Sequence, residues 1–313
     1  MNFINFIQHY PDEESCKSLF KKFRDESGVT CKKCGCKEHY WQKTIDQYQC
    51  KKCGFRTTLR SGTVMEASKL SYRTWIYGIF LMTFTKKGMS ALEMQRQLGL
   101  KRYEPAWAMM HKIRATMGNR DEKYLLEGVI EMDDSFFSSH DGNGGYEDQK
   151  RGRGSKSKGK VLVMAKVVPK KGRPKKHRKA SAFRYVKMIH VDELTSETIN
   201  DKTIDAVFLE STVKTDAYKG FNNLYKVIAK HKSQVVPPDT ASKALPWVHT
   251  MISNAKRNLL GVNHCIERGY LQNYLNEFCY KTNRRYFNDK LFDRLMIASV
   301  QSAWYNINVY ENG

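Results

Sequence analysis

The sequence is short of acid. Asp and Glu number 32 in 313 residues, against 54 Lys and Arg, which leaves a formal net charge of +22 at pH 7. A surplus of that size points to a polyanionic partner, either nucleic acid or an anionic membrane. Long apolar runs are lacking too. The longest, Trp75 to Phe84, is about half of what a bilayer-spanning helix needs. The first thirty residues hold no basic-then-apolar pattern of the secretory kind, and no internal repeat is visible. These absences remove the membrane and the secreted classes, so nucleic acid leads and a cytoplasmic protein is expected. What remains is sufficient for folding. A hydrophobic content of 41% and an aromatic content of 12% exclude a wholly disordered chain and suggest two or three domains.

Four of the eight cysteines form two close pairs, Cys31-Lys32-Lys33-Cys34 and Cys50-Lys51-Lys52-Cys53, separated by fifteen residues. That spacing fits a four-thiolate structural Zn²⁺ site and not a spread disulfide framework. Gly35 and Gly54 follow each pair, as tight turns aiming two sulfurs at one ion require. The intervening Tyr-, Trp- and Gln-rich stretch reads as the short strands of a zinc ribbon. Cys36 and His39 are alternative ligands. Cys16, Cys265 and Cys279 have no partner at ligand spacing and read as buried thiols.

Ahead of the ribbon, Asp12 to Phe23 has helical spacing. Three helical stretches follow it: Tyr72 to Thr85, Ser90 to Leu98 and Pro105 to Met117. A short helix, a turn at Gly99-Leu100 and a basic third helix make a helix-turn-helix-like pattern. Lys112 and Arg114 are the DNA-contact candidates on it. From residue 127 the period shortens. Gly128 to Phe137, Val161 to Val168 and Phe183 to Val191 read as strands, Thr195 to Asn200 begins a helix, and Val213 to Thr215 is a short strand. Helices dominate from Trp247. The order predicts an α/β domain.

Two basic runs interrupt that domain. Lys150 to Lys160 holds six Lys or Arg in eleven residues, and Lys170 to Lys179 holds seven in ten. Flanking one strand, they suit contact with a phosphate backbone, with Lys150, Arg151 and Arg153 the named candidates. Acidic residues stand out by their rarity. Glu131-Met132-Asp133-Asp134 lies inside an apolar strand, where ionised groups are costly unless paired or metal-bound. Asp216 ends another strand. Carboxylates from neighbouring strand ends are suited to hold two divalent cations for phosphodiester chemistry.

Taken in order, these features resemble the bacterial insertion-sequence transposases of the zinc-ribbon, ISXO-like group. The resemblance runs from the four-cysteine ribbon through Ala106-Trp107 and Lys112-Ile113-Arg114 to Glu131-Met132-Asp133-Asp134-Ser135-Phe136. It continues over Arg151-Gly152-Arg153-Gly154, Thr215-Asp216-Ala217-Tyr218-Lys219-Gly220, Trp247-Val248-His249 through Lys256-Arg257, and Tyr274-Leu275 through Asn283-Arg284-Arg285. It implies a DDE-type catalytic domain with an RNase H-like fold, preceded by the ribbon and a small helical domain. The expected boundaries are 1–62, 63–120 and 121–313.

By the same resemblance Asp133 and Asp216 are the first two metal-binding acids, with Asp134, on the opposite strand face, as fallback for the first. Relatives carry Glu seven residues before a Lys on the next helix. Here His249 stands seven before Lys256, on the same helical face, and Asn254 is the other candidate for the third position. Imidazole suits Mn²⁺ better than hard Mg²⁺, so activity with Mn²⁺ is expected to exceed that with Mg²⁺. Lys281 and Arg284, spaced from Glu277 by i+4 and i+7, fall where the family pattern has Arg and suggest DNA-phosphate contact. The implied activity is metal-dependent strand cleavage and strand transfer on double-stranded DNA, both terminal inverted repeats and target, by a homo-oligomer of at least two copies, at the bacterial nucleoid. A DNA-binding zinc-ribbon protein, a decayed transposase without catalysis and a metal-dependent nuclease share parts of the pattern.

Overall fold

Asp12 starts the first long helix as its sequence demands. Its carboxylate accepts from the backbone N–H of Ser15 at 2.8 Å while the Ser15 hydroxyl accepts from the Asp12 N–H at 3.3 Å, a reciprocal cap. Glu13 and Glu14 then occupy the first turn, where the helix dipole favours negative charge. In the computed structural model, residues 2–140, 158–170, 181–235, 244–263, 266–287 and 290–302 are described. Lys150, Arg151 and Arg153 lie outside them. The chain forms two units, Met1–Asn119 with Phe287–Gly313, and Arg120–Tyr286.

The first unit holds α1 (Phe3–His9), α2 (Glu13–Ser27), β1 (His39–Gln42), β2 (Gln47–Cys50), β3 (Arg56–Thr58), α3 (Tyr72–Phe84), α4 (Ala91–Gln97) and most of α5 (Tyr103–Glu122). Its three strands pair in order as an antiparallel sheet. Ser71 and Ser90 cap α3 and α4 through their hydroxyls. Glu13 reaches across to α3, accepting from the backbone N–H groups of Tyr72 and Arg73 at 2.8 Å each. Gly78 lets α3 and α5 approach closely, since a Cβ there would meet Met109 Cε at 2.6 Å. The last helix (Leu291–Gln301) also belongs to this unit and packs on α2 and α3. Phe6 stacks on Phe80 with centroids 3.9 Å apart and meets Phe292 edge-on at 5.1 Å. The expected boundary at 121 kept this helix with the catalytic domain. Leu295 and Met296, both fully buried, show why it lies elsewhere: its apolar face completes the first unit's core.

The second unit is a mixed sheet between helical layers. It contains β4 (Val129–Ser138), β5 (Lys158–Pro169), β6 (Ser181–Val191), α6 (Ser196–Ala206), β7 (Thr212–Asp216), β8 (Lys230–Gln234), α7 (Pro246–Leu260) and α8 (Leu271–Asn283); the C-terminal helix is α9. The strand order is β6-β5-β4-β7-β8. The β4–β5 and β5–β6 pairs are antiparallel, and the β4–β7 and β7–β8 pairs parallel. In the unit's own count this is 3-2-1-4-5 with a helix crossing over after the third strand, the RNase H-like arrangement. Alternation along β5 sends Val161, Val163 and Ala165 into one core with α7 and α8, and Leu162 and Met164 into another with Ile199 and Ala206 of α6. A central strand covered on both faces carries apolar residues at successive positions. Among the described residues no helix is long and apolar enough to cross a membrane.

Candidate functional site

The side-chain alternation that buries β5 also sorts the acids of β4. Ile130 and Met132 enter the α6-side core, so Glu131 and Asp133 face the α7 side. The parallel register sets Glu131 against Lys214. Two residues beyond that last pair stand Asp133, midway along β4, and Asp216, at the end of β7. Asp134 points to the α6 side, its N–H donating to Asp133 Oδ1 at 2.9 Å.

Helix α7 supplies the rest. His249 Nδ1 lies 3.4 Å from Asp133 Oδ2. Asn254, the alternative, instead accepts from Arg257 Nη2 at 2.7 Å. Lys256, two turns beyond His249, is half-buried with Nζ 5.5 Å from the Phe137 ring centroid. Burial and then the Lys158 ammonium lower its pKa, and Asp133 works against them. Glu131 fixes where α7 begins. Its Oε2 accepts from the backbone N–H groups of Trp247 at 2.7 Å and Val248 at 3.0 Å, satisfying two of the donors that a helix N-terminus leaves open. Asp133 and His249 are therefore together, with Lys256 on the same helix. Asp216 shares their face, two residues beyond Lys214 on β7.

In the first unit the four cysteines do close up. Sγ atoms of Cys31, Cys34, Cys50 and Cys53 all lie within 4.8 Å of one another, with Cys31–Cys53 and Cys34–Cys50 both at 3.6 Å. A tetrahedral Zn²⁺ with Zn–S bonds of ~2.3 Å requires edges of roughly 3.8 Å, so the set fits that ion. The two turns repeat one design. Gly35 N–H donates to Cys31 O and Gly54 N–H to Cys50 O, and both glycines hold a left-handed φ, +69° and +70°, which side chains disfavour. Cys36 and His39 stand outside the set, and Cys36 Sγ accepts from Glu38 N–H at 3.4 Å.

The transposase zinc-ribbon domain matches residues 11–56, and the ISXO2-like transposase domain matches residues 125–283. The chain belongs to the ISXO2-like transposase family. Its ribbon is thereby a transposase zinc ribbon, and its four thiols form a structural Zn²⁺ site. The comparison with curated proteins returns no match. Among solved structures, the Mos1 transposase paired-end complex with left transposon end is similar at 9% identity and a TM-score of 0.26, over 73% of this chain and 79% of that one. A pre-cleavage Mos1 transpososome gives 8% and 0.25, over 72% and 78%. The Mos1 strand transfer complex gives 10% and 0.23, over the same shares.

Several residues of this transposase expected at DNA are placed elsewhere. Lys112 and Arg114 are 8% and 1% exposed, because α5 is buried on every side from His111 to Gly118. Lys112 Nζ donates to Glu66 O at 3.2 Å and Arg114 Nη2 to Met89 O at 3.4 Å, so their charges serve the interior and not a recognition surface. Arg284 pairs with Asp121 at 2.5 Å and stacks on Tyr280. Lys281 pairs with Glu277 at 2.7 Å. Both are nearly enclosed and engaged within the unit, which removes them from the phosphate contacts expected of them. The segment around them holds the sheet edge instead. Asn283 exchanges hydrogen bonds with the backbone N–H and C=O of Val186, and Gln272 accepts from His190 N–H while donating to Met188 O. Two amide side chains of α8 thus stand in for a neighbouring strand along β6. Sequence reasoning missed this task, and also that of Glu131. The one available signal was an acid in an apolar strand, and its partner is a helix start 116 residues away.

Proposed function

We propose that the chain is a DNA transposase that cleaves DNA at the ends of its element and joins the freed end to a target. The observation that carries this reading is the approach of His249 Nδ1 to Asp133 Oδ2, 3.4 Å apart, with Lys256 on the same helix and Asp216 on the neighbouring parallel strand. Asp133, Asp216 and His249 would hold two Mg²⁺ or Mn²⁺ ions; a carboxylate–imidazole donor set fits such cations. When bound, the ions activate a water or a 3′-hydroxyl and stabilise the leaving oxygen of the phosphodiester.

The chain's own residues supply position and charge. Asp133 lies midway along β4 and Asp216 ends its parallel neighbour β7, so the sheet sets how their backbones lie. Glu131 fixes the start of α7 and so the height of His249 above Asp133. Lys256, half-buried beside Phe137, offers a cation to the scissile phosphate. Cleavage and joining are both in-line displacements at phosphorus, so one arrangement serves both without a covalent enzyme intermediate. The ribbon and the α3–α5 segment would contribute to recognition of the terminal inverted repeats in double-stranded DNA. Joining two ends implies at least two copies acting together, at the bacterial nucleoid.

The test is an oligonucleotide reaction with the element's terminal repeat in Mn²⁺, comparing wild type with Asp216→Ala. Joined products that vanish in the variant are expected. Binding without cleavage by the wild type would replace this reading with that of a DNA-binding protein or a decayed transposase. Cleavage without joining would replace it with a nuclease.

A further inference from the structure

The face of the sheet that carries Asp133 and Asp216 continues past α7, which lies across β4 and β5. On β7 and β8 the same face is polar and open. Register places Thr212 beside Lys230, Lys214 beside Lys232, and Asp216 beside Gln234. Lys214, Lys230 and Lys232 are all exposed. The opposite face carries the strand's internal bonds, with Val213 in the α6-side core and Thr215 Oγ1 2.9 Å from His231 Nε2. The three lysines therefore share one face and sit two to four residues of strand from Asp216.

Such a ladder is unfavourable by itself, because like charges directly opposite on neighbouring strands repel. None of the three lysines forms an ion pair with a described residue. The nearest acid in register, Glu131 opposite Lys214, is engaged with the start of α7. Lysine on an edge strand discourages pairing between copies, and that accounts for Lys230 and Lys232 on β8. It does not account for Lys214, which lies on an interior strand and completes the ladder. Successive lysines on β8 are about 6.6 Å apart and the two strands about 4.8 Å. Duplex DNA presents a phosphate every ~3.4 Å of axis on each strand, so a patch of this size spans two or three phosphates.

We propose that Lys214, Lys230 and Lys232 form a phosphate track for duplex DNA, leading along the β7–β8 face to Asp216. The track holds the backbone beside the reacting phosphate and reads no sequence. The inference rests on the transposase reading only for the identity of the polyanion.

The experiment measures binding of the full-length protein to a duplex as a function of salt, in Ca²⁺ so that binding is followed apart from turnover. One variant carries Lys214→Gln, Lys230→Gln and Lys232→Gln. A charge-matched control carries Lys123→Gln, Lys202→Gln and Lys226→Gln in the same unit. Each lost phosphate contact reduces the slope of log K against log salt by about 0.9. The track variant should lose about 2 to 3 from the slope and on the order of a hundredfold in affinity at 0.1 M salt, equally for a terminal-repeat duplex and an unrelated one. The control should keep the wild-type slope. A triple Lys→Arg variant at the track positions should restore it. Equal losses in track and control variants would reduce the effect to net charge and overturn the proposal. So would an unchanged slope, a loss confined to one duplex sequence, or failure of the arginine variant to restore binding. Since no arm depends on cutting, an Asp216→Ala result that sank the catalytic reading would leave this measurement intact.

Discussion

The carboxylate of Glu131 on β4 sits 2.7 Å from the backbone nitrogen of Trp247 at the start of α7. A charged acceptor at a helix N-terminus satisfies open N–H groups and meets the positive end of the dipole. Because Asp133 follows two residues later on the same strand face and His249 two residues later on the helix, this clamp sets the height at which the two face each other.

Replacing Glu131 with Ala should therefore cost about 3 kcal/mol of stability by leaving buried N–H groups without an acceptor. Glu131→Gln keeps the acceptor and loses only the charge, for about 1 kcal/mol. Urea denaturation of both variants checks the order. Mn²⁺ titration followed by Trp fluorescence should show weakened metal binding in the alanine variant and near-normal binding in the glutamine one.

At the third position, wild type should turn over faster in Mn²⁺ than in Mg²⁺, and His249→Glu should recover Mg²⁺ use. His249→Ala should abolish both activities, whereas Asn254→Ala should leave rates within about twofold, a surface change of the usual modest size. Equal wild-type rates in the two metals would remove His249 from the ligand set.

The ribbon should retain one Zn²⁺ per chain by elemental analysis. Cys34→Ser or Cys50→Ser should lose it and expose residues 31–58 to protease, because binding of a structural zinc contributes about 10 kcal/mol to the fold it closes. Cys36→Ser should keep the metal, since its sulfur lies outside the cluster.

Arg284→Ala should act on folding and not on DNA. Leaving Asp121 buried without its partner costs about 3 to 5 kcal/mol, while the salt slope of DNA binding should stay at its wild-type value. A fall in slope with unchanged stability would return Arg284 to the phosphate contacts.

Acid should weaken the second unit. Burial lowers the pKa of both His190 and His231, so the folded state holds them neutral more firmly than the unfolded chain, whose histidines titrate near ~6.5. Their contribution is present above that value and is lost as pH falls through it. Urea midpoints at pH 7.5 and 5.5 should differ, and by less in His190→Gln.

The zinc site was legible because ligand spacing is local, and α3 and α4 because a serine precedes each apolar period. The strand around residue 130 declared itself by apolar alternation, and those around 163 and 186 as short apolar runs. β8 did not, since Lys230 to Gln234 contains no apolar residue and lies at the edge of the sheet. α1 was missed because too few residues carry its period. Lys112 and Arg114 misled for a different reason. Charge on a helix reads as surface, and the carbonyls of Glu66 and Met89 that receive them belong to segments no periodicity links to α5. Asn283 and Gln272 are illegible in the same way, since their partner is the backbone of a strand far upstream.

The return of α9 to the first unit has a bearing on synthesis. Residues 120–286 are contiguous and can assemble as soon as they leave the ribosome, whereas the core around Phe6 and Phe80 waits for Phe292. The expected order is then the reverse of the usual one, in which the N-terminal part folds first. A chain interrupted before α9 would carry a finished sheet in the second unit and a first unit still open along α2 and α3, so the first unit closes only after the second has been made.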